Sequence, residues 1–444
     1  MLAFLIGAGV LTKVKFNKLL LSSVVCILIA NPTFAGELKA TLSSLLNTHE
    51  RIKAAQSDLK SALANKGVAE GGYYPTLSLT ANVGNENIVT QNPLSTRTET
   101  SLAPRELDLN VSQTVLDFGA TSATVHGAGL AVKQAKIAVD LARQSLLLEA
   151  LSAQYNLASA VRVMDYQTQS ETSVKKQTEL EDARVKRGSG FSTDVLQAKT
   201  QLAGAQAARV RAAGTLRQAV NRYRAIFHKV PEDIKALELP KVDENLLPNG
   251  EETVVKTALK SNPQILAASV LTRIANSEIK RSFASGYRPV LNASAGHKYK
   301  RDVSGTIGNK SETLIKLEMT YNFNMGWTAE NTLKASKSGL SAASSRLKDT
   351  RDQIEEQARN AWQNLQTARD NAEFLSNQAN ISAEFLTLAR KERTLGQRSL
   401  IDVLAGETSL INAQAAADRA MTDVTIAKLT VLNVMGQLKV SVLN

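Results

Sequence analysis

Residues 315–323 read Ile315-Lys316-Leu317-Glu318-Met319-Thr320-Tyr321-Asn322-Phe323. Every second side chain is apolar and every other one polar, the period of a β-strand with one dry face and one wet face. The same alternation occurs at Leu77, Leu79, Ala81 and Val83 against Ser78, Thr80 and Asn82. It returns at Leu107, Leu109 and Val111 against Asp108, Asn110 and Ser112, after a polar stretch holding Asn92, Pro93 and Pro104. A fourth segment, from Pro289 to about Arg301, alternates less regularly. Strands of roughly 10–13 residues with this pattern suit an outer-membrane barrel, lipid outside and water inside. Two ordinary surface hairpins have the same pattern.

Working outward, the strands sit inside a unit that occurs twice. Asn47-Thr48-His49-Glu50-Arg51-Ile52 parallels Lys260-Ser261-Asn262-Pro263-Gln264-Ile265, and Tyr73-Tyr74-Pro75-Thr76-Leu77 parallels Tyr287-Arg288-Pro289-Val290-Leu291. Leu116-Asp117-Phe118-Gly119 parallels Phe323-Asn324-Met325-Gly326. Gly188 with Thr193-Asp194-Val195-Leu196 parallels Gly396 with Ile401-Asp402-Val403-Leu404. Four landmarks in one order indicate a duplicated helix–strand–strand–helix unit. The expected organisation is a signal segment over 1–35, a first repeat over 36–229, an equatorial linker over 230–250 with Pro231, Pro240 and Pro248, and a second repeat over 251–444.

The helices set the dimensions. Proline-free helical patterns run from about 120 to 187 and from about 326 to 395, each spanning about 100 Å at 1.5 Å per residue. Val139, Ala142, Leu146, Ala150, Ala153, Leu157, Ala160 and Met164 form a coiled-coil seam. Each long helix ends at a glycine, Gly188 or Gly396, and a helix of roughly 60 Å follows over 191–229 or 399–437. Helices over 37–71 and 251–284, roughly 50 Å each, lead into the strands. An extended coiled coil alone would also have the seam.

The chain has 444 residues and a formal charge of +12. Lys13, Lys15 and Lys18 precede an apolar run from Leu19 to Ile29, and Thr33-Phe34-Ala35 offers a small-x-small cleavage site before Gly36. Removing those three lysines takes +12 to +9. The remaining basic residues are scattered along helix faces, which fits solvated faces better than nucleic-acid binding. Cys26 is the single cysteine, and Val25 precedes it where a lipidation site needs a small residue, so no lipid anchor or disulfide is expected. After Ala35 no apolar run of 18 residues occurs, so either the mature chain is soluble or it enters a membrane as β-strands. Aromatics are 5% of the chain, yet they gather at the helix–strand junctions as Tyr73, Tyr74, Phe118, Phe283, Tyr287, Tyr321, Phe323 and Trp327. Rings collect where a membrane surface meets water. Four strands cannot close, and open edges cannot face lipid, so three copies making twelve strands are expected.

These features resemble the TolC family of outer-membrane efflux and type I secretion channels. The resemblance runs over essentially the whole chain after the signal and rests on Tyr-Tyr-Pro-Thr-Leu-Ser-Leu at 73–79, Arg187-Gly188…Thr193-Asp194-Val195-Leu196, and 396–404 from Gly396 to Leu404. It implies a mixed α/β membrane protein: long antiparallel coiled-coil helices forming an α-barrel, with four strands per protomer contributing to a trimeric twelve-stranded β-barrel. It implies location in the outer membrane with extension into the periplasm. The implied function is export of proteins by type I secretion, with tripartite multidrug efflux as the alternative. The implied partners are two further copies, a periplasmic adaptor, an inner-membrane transporter driven by ATP or protons, and outer-membrane lipid. At the entrance, Arg398 matches an arginine that tethers the inner coil to a neighbouring turn, here Thr193-Asp194, and Asp402 matches an acidic residue ringing the constriction. Arg393 stands where the family pattern has a tethering tyrosine, and Ala405 where it has a second acid.

A periplasmic coiled-coil adaptor or scaffold would account for the seam but not for the duplicated strands. An enzyme is not expected: His49, His126, His228 and His297 lack metal-ligand spacing, and Gly188-Ser189-Gly190 is a helix-turn glycine rather than a phosphate loop. No cofactor, metal or catalytic residue is expected.

Overall fold

The computed structural model describes residues 34–91, 97–189, 191–231, 233–235, 237, 239–240 and 242–442. The expected signal segment, with Cys26, lies outside them except for Phe34 and Ala35, as do Asn92 and Pro93. The chain runs α1 (Phe34–Thr48), α2 (Glu50–Gly71), β1 (Thr76–Val83), β2 (Glu86–Thr90), β3 (Thr98–Leu102), β4 (Arg105–Leu116), α3 (Ala120–Lys186) and α4 (Ser192–Phe227). It continues through α5 (Glu251–Ser261), α6 (Pro263–Tyr287), β5 (Val290–Arg301), β6 (Asn309–Thr320), α7 (Thr328–Thr394) and α8 (Leu400–Val434). No helix among the described residues is long and apolar enough to cross a membrane.

Two helices expected to be continuous are broken, at matching places. His49 and Asn262 both adopt extended backbone, and each accepts a hydrogen bond on its side chain from the N–H two residues on, Arg51 or Gln264. These are N-caps, and Pro263 starts its helix at a position where no N–H is needed. The repeated motif at 47–52 and 260–265 is therefore a helix break rather than a helix interior.

The repeated motif at the strand-to-helix turns also has a physical basis. Asp117 Oδ1 accepts from Gly119 N–H at 3.0 Å, and Asn324 Oδ1 accepts from Gly326 N–H at 2.8 Å. Both close an Asx turn that redirects the chain into a 67-residue helix.

The largest core cluster lies halfway along the long helices. Leu146 to Leu157 of α3 and Ile354 to Leu365 of α7 pack there with Leu42, Ile52, Phe227, Val254, Ile265, Leu429 and Leu432. Linker residues Leu237, Leu239, Val242 and Leu247 close over it. Of the expected seam, Val139, Leu146, Ala150, Ala153, Leu157 and Ala160 are buried. The linker and the ends of α1 and α8 thus meet at mid-height, with strands at one end of the rod and helix turns at the other.

The four main strands form one antiparallel sheet in the order β1-β4-β5-β6. Register stacks them in rows: Leu77–Val111–Ala295–Ile315, then Leu79–Leu109–His297–Thr313, then Ala81–Leu107–Tyr299–Ser311, then Val83–Arg105–Arg301–Asn309. All of these share one face. The other face carries ion pairs, Lys298 with Asp108 at 2.9 Å and Lys300 with Glu312 at 3.2 Å. A bulge between Thr114 and Leu116 restores Leu116 to the apolar face, opposite Leu291. A second hairpin, β2 with β3, occupies the stretch read as a polar loop. Strand β6 ends at Thr320, so Tyr321 and Phe323 lie beyond it rather than in it.

Candidate functional site

At the tip away from the sheet, α3 and α7 end on the same turn. Gly188 (φ +80°) and Gly396 (φ +75°) take the left-handed conformation that glycine tolerates. Ser189 N–H bonds Arg184 C=O and Gly188 N–H bonds Val185 C=O; Gln397 bonds Glu392 and Gly396 bonds Arg393 in the same way. Each is a Schellman closure, which satisfies carbonyls that a helix end leaves open.

Arg398 lies just past the second turn. Its Nε donates to Glu392 Oε2 at 2.5 Å, and its guanidinium sits 5.3 Å from the centre of the Phe385 ring. Phe385 reaches that place because residue 406 is glycine: a Cβ there would lie 2.9 Å from the ring. Within the protomer no hydrogen bond or ion pair among the described residues joins Arg398 to Thr193 or Asp194. Thr193 is exposed and Asp194 partly so, both in the first turn of α4. Asp402 is exposed in the first turn of α8, where its N–H donates to the Ser399 hydroxyl at 3.2 Å.

The link between the two helical hairpins comes from Arg393. Its guanidinium donates to Glu181 Oε2 of α3 at 3.2 Å and to its own turn's Arg398 C=O, also at 3.2 Å. The Glu181 side chain is only 5% exposed and is shared with Arg184 at 3.6 Å. On α8 the equally buried Glu407 meets Arg390 of α7 at 3.4 Å, and its Oε2 has no hydrogen-bond partner among the described residues. Further down, Arg162 and Ser159 of α3 both bind Asp418 of α8. Between these contacts Val174, Ala198, Leu400 and Leu404 form a small apolar cluster of α3, α4 and α8. Near the first turn, the Lys186 ammonium 2.7 Å from Asp182 holds that carboxyl below its ordinary value.

Glu181 and Glu407 escaped the sequence reading, although a signal existed. Val174, Thr178 and Glu181 follow the 4-then-3 spacing of a seam, as do Leu400, Leu404, Glu407 and Ile411. A carboxylate on such a stripe needs a basic partner on the facing helix.

At the sheet end the expected ring of aromatics is exposed, Phe323 most of all, followed by Tyr74 and Trp327. Tyr287, Tyr321, Phe323 and Trp327 line a cavity of about 410 Å³. Arg288 sits 5.9 Å from the Phe118 ring and 5.6 Å from Phe283, which stacks on Tyr287. Tyr73 and Tyr74 precede β1 at the same level and are also exposed. The histidines are less isolated than their spacing suggests: His49 and His228 rings lie 5.6 Å apart. No group of three or more His, Cys, Asp or Glu suited to a metal occurs among the described residues.

The outer membrane efflux protein family matches residues 41–227 and 254–437, well over half of the chain. The chain belongs to that family. It is 22% identical to the outer membrane efflux protein BepC of Brucella suis over 93% of this chain and 88% of BepC. It is 24% identical to the outer membrane protein TolC of Escherichia coli over 67% of this chain and 62% of TolC. The crystal structure of the Campylobacter jejuni CmeC outer membrane channel superposes with a TM-score of 0.78 at 15% identity, covering 91% of this chain and 86% of CmeC. The fold class expected from the sequence is the one found, long coiled-coil helices carrying four strands, and the protein is an outer-membrane efflux protein whose helices extend into the periplasm.

Proposed function

We propose that three copies of this chain form one continuous export duct, with twelve strands closed around a pore in the outer membrane and the helical hairpins closed around its periplasmic extension. The observation that carries this is the open sheet: β1 and β6 each leave an edge unpaired, and the outward face holds Leu77, Leu79, Ile315, Leu317 and Met319 fully in view. Neither feature survives in lipid or water unless neighbours complete the sheet and lipid covers it. Mass measurement in detergent is the test: a trimer is expected, and a stable monomer would overturn the reading.

The tip acts as the entrance gate. Arg393–Glu181 and Arg390–Glu407 hold the second hairpin in place, Arg398 reinforces its turn, and Arg398 also faces Thr193 and Asp194 of an adjacent tip in the assembled ring. Three copies of Asp402 meet near the axis as the acidic constriction. A periplasmic adaptor and an inner-membrane transporter engage this end. For cargo the two export classes remain type I protein secretion and tripartite small-molecule efflux, and the description of the family and of BepC as efflux proteins favours the second. Loss of the gene should then raise drug susceptibility and leave the secreted proteins unchanged.

A further inference from the structure

The outward face of the sheet does not end on an apolar row. Its last row away from the helices places Arg105 of β4 directly opposite Arg301 of β5. The row beneath holds Tyr299 beside Leu107, and below that Leu109 stands beside His297, which is bonded to the Thr313 hydroxyl at 2.9 Å. Like charges set opposite each other across two strands repel. The ion pairs that neutralise Lys298, Lys300 and Lys310 lie on the other face. The Arg105 guanidinium has no hydrogen-bond or ion-pair partner among the described residues, and that of Arg301 has Asp302 at 3.4 Å through Nε. Asp302 is itself engaged by Gly308 N–H at 2.8 Å.

Depth adds a second argument. From Leu291, just above the aromatic ring, to Tyr299 the strand advances about 27 Å, or about 20 Å along the membrane normal at a tilt near 40°. An apolar band about 25 Å tall therefore ends near Tyr299, which fits an interfacial ring. The two guanidiniums then emerge one row higher, at headgroup level on the outer side.

We propose that Arg105 and Arg301 together bind the phosphate of an outer-leaflet lipid headgroup, with Tyr299 packed against the lipid beneath it. Two planar guanidiniums present paired donors that match phosphate oxygens, and a bound dianion removes the repulsion between them. A lipid, rather than free phosphate, is the occupant because the site opens onto the apolar face, where an acyl chain continues down past Leu107 and Leu109. The inference rests on the duct reading, which sets that face toward lipid.

The detergent-solubilised protein, equilibrated with phosphatidic acid or phosphatidylcholine, is examined by native mass spectrometry. The wild type should retain the phosphomonoester lipid over the zwitterionic one by about tenfold. Arg105→Ala with Arg301→Ala should abolish the preference, while Lys310→Ala, which removes a charge from the wet face, should keep it. Millimolar inorganic phosphate should not displace the lipid. Equal retention by wild type and double variant overturns the site, as does an equal loss in Lys310→Ala; full displacement by inorganic phosphate overturns the lipid as occupant. If the double variant does not assemble, Arg105→Gln and Arg301→Gln read singly, each losing part of the preference. A monomeric wild type would break the duct reading, whereas a trimer without lipid preference breaks only this inference.

Discussion

The two turns at the tip share one backbone and differ in what surrounds it. Gly396 is followed by Arg398, held by Glu392 and Phe385, and by Ser399, whose hydroxyl caps α8. One turn of helix earlier, Arg393 crosses to Glu181. Gly188 is followed by Phe191, which caps α4 without a side-chain hydrogen bond and is 74% exposed. Thr193 and Asp194 have no side-chain partner among the described residues of the protomer. The second turn is therefore pinned to its own hairpin and to α3, while the first presents an apolar ring and a free carboxylate outward. Identical closure chemistry leaves a tip's mobility to be decided by the side chains around it.

The largest expected effect comes from removing the pin. Glu181→Ala leaves Arg393 and Arg184 without their shared carboxylate at a buried place, costing about 2–3 kcal/mol at each tip. Open probability in planar bilayers should rise well above that of the wild type. An unchanged value would mean that the second turn is no better held than the first.

Arg398→Ala should raise conductance by less. Its pair with Glu392 is partly solvent-exposed, and such pairs contribute about 0–1 kcal/mol. Double-mutant cycles sharpen the comparison: coupling of Arg398 to Glu392 reports the contact within the protomer, and coupling to Asp194 reports a tether between neighbours. Zero coupling to Asp194 would leave the first turn free in the trimer as well.

Asp402→Ala should shift the reversal potential under a salt gradient toward weaker cation selectivity, because a carboxylate ring in a narrow pore concentrates cations. Unchanged selectivity would reduce Asp402 to a favourable charge at a helix N-terminus. The smallest effect belongs to the first turn. Phe191→Ala should change thermal stability by less than about 0.5 kcal/mol, since the residue is 74% exposed. A larger loss would show that a neighbouring chain packs on it.

Much of this fold is legible in the sequence, because period and length are local properties. The long helices begin and end within about two residues of the expected bounds, since nothing in a coiled-coil seam competes with the 3.6-residue period. The breaks at His49 and Asn262 were hidden because a capping side chain signals a start, and the preceding helix masks it. The hairpin β2–β3 was missed because its short strands lack a dry face, so alternation carries no signal there. At the tip, Arg393 was visible as a departure from a familiar pattern, but its partner Glu181 lies more than 200 positions away in sequence. Only the packing of α3 against α8, the partner of α7 in the second hairpin, brings the two together.

The helices α3 and α7 come from different halves of the chain, yet each has 67 residues. In the proposed duct they act as a ruler, setting one distance between the membrane and the proposed gate on both arms of every protomer. Evolution cannot lengthen or shorten one arm alone, because its turn would slide past the other and Arg393 would lose Glu181. Changes in span must arrive as matched insertions in both helices, in steps that preserve the seam, close to seven residues. Relatives that bridge a wider or narrower periplasm should therefore differ by paired heptads, and an unpaired heptad inserted here should leave the duct inserted in the membrane but unable to close.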